Sequence, residues 1–345
     1  MHSIDLEKYE FRTDLVVEEK IDTLKDDEVK IKKYELDSVI IEEMEISEKG
    51  SKKLNRKPGY YRTISFQDVT DKDHYQKVET AFIKVLKQFL LDCKIKDDAA
   101  SLIIGLGNEH STPDALGPKA ASNTLVTRHL FQLGEVEAGY RNTCAFIPDV
   151  TGTTGIETGQ LIKGAIKASN PDFLIIIDAL KATNIDRVTK TIQISNTGIT
   201  PGSGVGNNRE ELSYESLNIP VIVIGVPTIV DLATIVSDTI QYIYKHFSYK
   251  IDHFESTKLK LVPENRQNYI DYPDTLSKEK KEELLGFIGN LKEEELKMLI
   301  NEVLIPIHYN LMVTPKEIDF TIEKLSMLLG QGINKSLHEH FNPTK

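Results

Sequence analysis

Residues 101–114 read SLIIGLGNEHSTPD, and residues 173–178 read FLIIID. Each is a short apolar run that breaks off into polar residues without first alternating. Such a run fits a strand buried on both faces, as parallel sheets require. Two further runs, residues 143–147 and 221–226, repeat the pattern, and helix-period stretches lie between them at residues 114–132, 157–168 and 229–247. Strand–helix alternation predicts an α/β fold with a doubly wound, mostly parallel sheet and right-handed crossovers.

Working outward, residues 36–46 and 60–66 are rich in β-branched and aromatic types around a polar turn, and predict an N-terminal β-hairpin. From Asp71 to Cys93 the apolar positions Val78, Phe82, Val85, Leu86 and Phe89 follow helical spacing. Residues 189–195 are β-prone and predict an extra or edge strand. Beyond Ser248 a polar stretch with Pro263 and Pro273 precedes two amphipathic patterns, residues 277–303 and 315–337. These predict C-terminal helices covering one face of the sheet, the second capped by Thr314 with Pro315 in its first turn.

The chain has 345 residues and a net charge of −11, which argues against a phosphate-binding surface, since nucleic-acid binding needs clustered Lys and Arg. The expected partner is therefore protein or metabolite, with no direct nucleic-acid contact. The start of the sequence is too charged for a signal-peptide core, and no stretch reaches the ~18 apolar residues of a membrane span. A cytoplasmic protein without membrane association is expected. Cys93 and Cys144 have no partners at zinc spacing, so neither disulfide scaffolding nor a zinc site is expected.

In an open parallel sheet, ligands bind beyond the strand C-termini where strand order reverses. The first run leads through Gly105-Leu106-Gly107-Asn108 to His110 and Asp114; the third ends in Asp178. If the order is 2-1-3, these strands are neighbours, and Asp114 and Asp178 converge on one crevice. Two close carboxylates share a proton, leaving one base for water and one acid for the leaving amine. The competing readings are that Asp114 starts a helix and that Asp178 is a strand-end cap. Asp149 and Asp186 are weaker candidates, Asp149 because it sits in a turn. A metal site of His110, Asp114 and Asp178 is a second reading, giving a metal-dependent peptidase or amidase. A third is a non-enzymatic protein holding a small anion at the glycine-rich residues 198–206. That loop lacks both GxGxxG spacing and a P-loop lysine. No GxSxG elbow occurs and neither cysteine carries a protease signature.

Several long blocks resemble the germination protease of endospore-forming bacteria: GLGNEHSTPDALGP at residues 105–118, TGIETG at 154–159, IDAL at 177–180, TIQISNTGITPGSGVGNNR at 191–209, GVPTIVD at 225–231 and LMVTPKEID at 311–319. The resemblance implies an atypical aspartic endopeptidase related in fold to hydrogenase-maturation endopeptidases, with Asp114 and Asp178 essential and no metal or cofactor. It implies a zymogen that removes residues 1–14 by cutting between Asp14 and Leu15 within TDLVVE, leaving one peptidase domain over residues 15–345. Within that domain residues 36–66 would form a hairpin insertion and residues 277–340 the C-terminal helices. It further implies homotetramers in the forespore and spore core that degrade small acid-soluble spore proteins at germination. Departures from the family pattern occur at residues 148–152 (PDVTG) and at Asn196, where aspartate is more usual.

Overall fold

The computed structural model describes residues 13–19, 24–134, 136–202, 210–253, 269, 271–304 and 311–341. The chain divides into two compact units. The larger comprises Arg12–Ala182, Asp186–Ile229 and Thr314–Lys345; the smaller holds Thr183–Ile185 and Val230–Val313.

The sheet is formed by β1 (Val29–Leu36), β2 (Val39–Ile46), β3 (Gly59–Ser65), β4 (Ser101–Gly105), β5 (Thr143–Phe146), β6 (Phe173–Ala182), β7 (Thr191–Ser195) and β8 (Val221–Asp231), in the order β1-β2-β3-β7-β8-β6-β4-β5. β4 pairs in parallel with β5 on one side and β6 on the other, which is the expected 2-1-3 order of the first three core strands. The fold is α/β as the sequence predicts. It is more mixed than the four apolar runs suggest, because β1, β2, β3 and β7 form an antiparallel wing joined antiparallel to β8.

Three details differ from expectation. The predicted hairpin exists as β2–β3, but β1 precedes it. Its only buried residue is Val29, and its Lys30, Lys32, Lys33 and Glu35 mark a solvated edge that resists pairing with another chain. Asp37 and Ser38 join β1 to β2 with φ of 50° and 72°, the left-handed pair that a two-residue hairpin turn needs. Residues 191–195 lie inside the sheet between β3 and β8, not at an edge, and all five are buried. The predicted helix over residues 114–132 is broken into a 3-10 turn Thr112–Asp114 and helices Leu116–Ser122 and Arg128–Leu133. In the gap, Leu125 N donates to Asn334 Oδ1 (2.7 Å) and Thr127 N to Thr143 O (2.9 Å), so tertiary partners replace helical ones.

One face of the sheet carries the main core. Ile103, Ile175, Ile177, Ile192, Ile194, Ile222 and Ile224 point into it, covered by helices Lys72–Asp92, Leu116–Ser122 and Ile318–Leu337. The last of these is the expected cover. It begins at Ile318 without a side-chain cap, and Thr314 instead donates to Thr228 O (2.9 Å). The opposite face holds Leu102, Ile104, Leu174, Ile176, Val221 and Val223, packed on Ile162 of helix Thr158–Ser169.

In the smaller unit, helix Leu232–Asp252 is N-capped by Asp231, whose Oδ1 accepts from Thr234 N (2.6 Å). The amphipathic pattern of residues 277–303 forms two helices, Lys278–Leu285 and Glu293–Leu304, interrupted by a 3-10 turn Gly286–Asn290. β9 (Met312–Val313) pairs with the last two residues of β8. Among the described residues no helix is long and apolar enough to cross a membrane.

Candidate active site

β4 and β6 run side by side from Ser101↔Phe173 to Gly105↔Ile177, and the pairing ends with Leu106 N donating to Ile177 O at 2.8 Å. There β4 leaves the sheet while β6 continues to Ala182. Asp178 is therefore the first residue of β6 beyond its neighbour; it lies within the strand and does not terminate it. Alternation puts its side chain on the face of Leu174 and Ile176. Asp178 is only 8% exposed, and its Oδ1 accepts from the following amide, Ala179 N, at 2.9 Å.

Asp114 reaches the same edge through the loop that follows β4. Its Oδ2 accepts from Asn108 N (2.8 Å) and its own amide donates to Ser111 O (2.8 Å), so the carboxylate fastens residues 108–114 into a closed turn. Gly107 makes this closure possible. Its φ is +119°, and a Cβ there would stand 2.0 Å from Asp114 O and 3.2 Å from the Asp114 carboxyl carbon. The Thr112–Asp114 turn packs against β6. Helix Leu116–Ser122 begins after Ala115 with no side-chain cap, and the Asp114 carboxylate is turned back to Asn108 within its own loop. Both aspartates thus stand at the C-terminal edge of adjacent parallel strands.

The other candidates lie differently. His110 is exposed and its amide donates to Asn108 Oδ1 (2.9 Å). Among the described residues no three His, Cys, Asp or Glu side chains come together as a group able to hold a metal. Asp149 sits at φ 59° in its turn with Oδ1 accepting from Val150 N (2.8 Å), and Asp186 lies in the 3-10 turn Ile185–Arg187. Both cysteines are free and half-buried. Burial pushes the Cys93 thiol up to about 11, the wrong direction for a nucleophile. Of the glycine-rich loop, residues 203–209 lie outside the described residues. Gly198 opens it at φ +78° beside the Ile199↔Leu212 bridge.

Sequence reasoning did not anticipate what surrounds Asp14. Its amide donates to Lys181 O (3.2 Å), and Lys181 N donates to its Oδ2 (2.8 Å), three residues past Asp178 along β6. Gln193 of β7 donates from Nε2 to Asp14 O (2.9 Å), and its Oε1 accepts from Val16 N (2.7 Å). Burial raises the Asp14 carboxyl above its usual range, against the pull of the Lys181 N–H and the charge of Arg56. Leu15 is wholly buried, and Val16 packs with Met44, Ile46, Leu54 and Tyr61. Arg56 binds Glu19 Oε1 (2.7 Å) and Thr13 O, clamping both ends of the segment. A buried polar residue in the centre of TIQIS was the one available signal for Gln193.

The sequence profile of the family described as "Germination protease" matches residues 6–345. Proteins named germination protease align over nearly the whole chain. That of Geobacillus sp. (strain WCH70) is 45% identical over 99% of this chain and 97% of its own length. Those of Priestia megaterium and Bacillus licheniformis are 44% and 46% identical, over 97% and 98% of this chain and 95% and 96% of their own lengths. Among solved structures, a [NiFe] hydrogenase maturation protease, HycI from Thermococcus kodakarensis, aligns with 42% of this chain and 80% of its own. It is 20% identical, with a TM-score of 0.26.

Proposed function

The chain belongs to the germination protease family, and from that premise we propose that it is an aspartic-type endopeptidase that begins the degradation of small acid-soluble spore proteins in the spore core. In this reading it is made as a zymogen that removes its own N-terminal segment at Asp14–Leu15. Asp114 and Asp178 carry the reaction. One carboxylate takes a proton from water, whose oxygen adds to the peptide carbonyl carbon. The other, protonated, gives its proton to the departing nitrogen as the C–N bond breaks. No metal or cofactor is required.

The observation that carries this reading is the meeting of the Asp114 turn with β6 at the point where β4 leaves Asp178 behind. Each carboxylate has one oxygen accepting a backbone amide, which fixes its orientation at the edge where β4 ends. Assembly as a homotetramer is supported by the exposed apolar side chains Phe287, Met298 and Val303 in the smaller unit.

The test compares wild type with Asp114→Asn and Asp178→Asn, following the N-terminus by sequencing and the digestion of a purified spore protein by mass spectrometry. Each amide variant should lose about 10²- to 10⁴-fold in rate. A variant that still acquires Leu15 as its terminus at the wild-type rate would end the carboxylate mechanism.

A further inference from the structure

Strand alternation relates Gln193 to the carboxylates. Ile192 and Ile194 point into the main core, so Gln193 points to the opposite sheet face, which bears Leu174, Ile176, Val221 and Val223 and, by the same alternation, Asp178. Gln193 stands opposite Gly225 of β8, and a Cβ at Gly225 would lie 2.3 Å from the Leu180 side chain. Leu180 thus lies over β8 between the strands of Asp178 and Gln193. Residues 13–16 cross this same face.

The contacts made there are those of a reader of polypeptides. A primary amide can donate and accept in one plane, as a neighbouring strand would. Gln193 does both, to the carbonyl before the Asp14–Leu15 bond and to the amide one residue beyond that bond. These main-chain contacts are indifferent to sequence; selectivity comes from the side chains. Lys181 N offers a hydrogen bond that a carboxylate at position 14 accepts, with Arg56 supplying a positive field. Leu15 has zero exposure, which calls for a large apolar residue next in line.

We propose that Gln193 and the backbone of Lys181 are the groups that hold the main chain and the acidic side chain around the bond this peptidase cuts, residues 13–19 occupying that place in this chain; the preference for an acidic residue followed by a large apolar one is itself what the germination protease resemblance implies. This rests on the reading of Asp14–Leu15 as the processed bond. Gln193 also polarises the carbonyl that water attacks, since its Nε2 already donates to Asp14 O and the bond strengthens as charge develops on that oxygen. Hydrolysis forms a carboxylate on Asp14 and an amine on Leu15. With that bond cut, residues 1–14 leave and the new Leu15 end is free to lift out, so that an incoming polypeptide takes the seat.

The experiment uses the full-length protein as wild type, Gln193→Ala, Gln193→Met and Gln193→Glu, with Asp178→Asn beside them. Self-processing is read as appearance of a Leu15 terminus, and kcat and KM are measured on a fluorogenic peptide copying residues 11–19. Gln193→Ala and the volume-conserving Gln193→Met should keep a cooperative melt and lose about 10- to 100-fold in kcat/KM. Gln193→Glu retains the acceptor for Val16 N but loses the donor to the carbonyl, so its loss should fall mainly on kcat, a split that a purely structural role would not produce. Replacing the acidic residue of the peptide by alanine should cost wild type a similar factor. Folded Gln193→Ala and Gln193→Met that cut themselves and the peptide as wild type does would overturn the inference, and faster self-processing would overturn it in the other direction, making the seat a restraint. Asp178→Asn retaining full activity would sink the carboxylate mechanism while leaving a Gln193 effect intact. A wild type that keeps its N-terminus and leaves the peptide whole would remove the processing reading and this inference with it.

Discussion

Acid should destabilise the wild-type protein more steeply than a His338→Asn variant. His338 closes the helix Ile318–Leu337 and is 2% exposed; its Nδ1 accepts from Arg141 N at 3.1 Å. Its Nε2 has no hydrogen-bond partner among the described residues. Burial first, and then the Arg141 charge, hold the imidazole at about 4 against 6.5. Protonation would place a proton on the nitrogen that now accepts and a cation beside a guanidinium. Because the folded value lies below the unfolded one, the unfolded chain takes up the proton first as pH falls. The stabilisation is complete above about pH 6.5 and is lost on the way down toward pH 4. A gap of this size corresponds to about 3 kcal/mol at full expression, and to roughly 2 kcal/mol once solvent screening is allowed for. About 70% of this is lost between pH 7 and pH 4.5, so at about 2–4 °C per kcal/mol for a domain of this size wild type should lose about 3–6 °C in Tm over that range from this group alone. In His338→Asn the amide oxygen can take the Arg141 N–H, and that component should vanish. Melts by circular dichroism at half-unit pH steps read the difference between the two proteins, since their carboxylates contribute equally. Parallel curves would refute the assignment.

Three further outcomes follow from particular contacts. Gly107→Ala should lower stability by about 2 kcal/mol or more and reduce proteolysis, because the new methyl overlaps Asp114 O at a backbone φ of +119°; a calorimetric melt with an activity assay checks both. Leu15→Ala in the unprocessed chain should weaken seating of the segment by about 2–5 kcal/mol, seen as faster hydrogen exchange of the Val16 amide. Asn196→Asp should change stability by less than about 1 kcal/mol, since Asn196 uses Oδ1 to accept from Tyr60 N (2.8 Å) and a carboxylate oxygen accepts equally well; chemical denaturation at pH 7 decides it.

The parts of the fold legible in the sequence are those whose signal is local. Unbroken apolar runs such as residues 101–106 and 173–177 mark strands buried on both sides, and their 2-1-3 order follows from the common doubly wound arrangement. The wing was blurred because its strands switch the face they bury. On β2, Val39 and Ile41 join the main core, while Met44 and Ile46 face the opposite side, so no single period spans the strand. β1 was missed because a charged edge strand does not show apolar alternation. Asp178 stands out in the sequence as a carboxylate directly after an apolar run, yet β6 runs on through it to Ala182, and Asp114 lies in the loop that follows β4. Lys181 and Gln193 do not stand out: one contributes only its backbone, and the other acts on residues about 180 positions earlier in the chain.

In the function proposed above, the sheet's two halves divide the work for a physical reason. Parallel strands need crossover helices, and those helices cover both faces, so only the strand ends remain open to a substrate. That is where Asp114 and Asp178 stand. A carboxylate pair at strand ends can act on a peptide bond but offers no surface along which an extended chain can lie. Antiparallel strands need no crossovers, and on one face of the wing only the short helix Glu48–Leu54 contributes, through Leu54, to the cluster around Val16. On that face Val16 packs against Tyr61 of β3 and Met44 of β2, and Gln193 of β7 holds the backbone on either side of Leu15. Once Asp14 is released and the new Leu15 end lifts away, the same apolar side chains face water, and a second polypeptide of like pattern recovers the burial the first one gave up. In that proposal the surface that residues 13–19 cover and the seat of the substrate are one, so a substitution that loosens the first must also weaken the second.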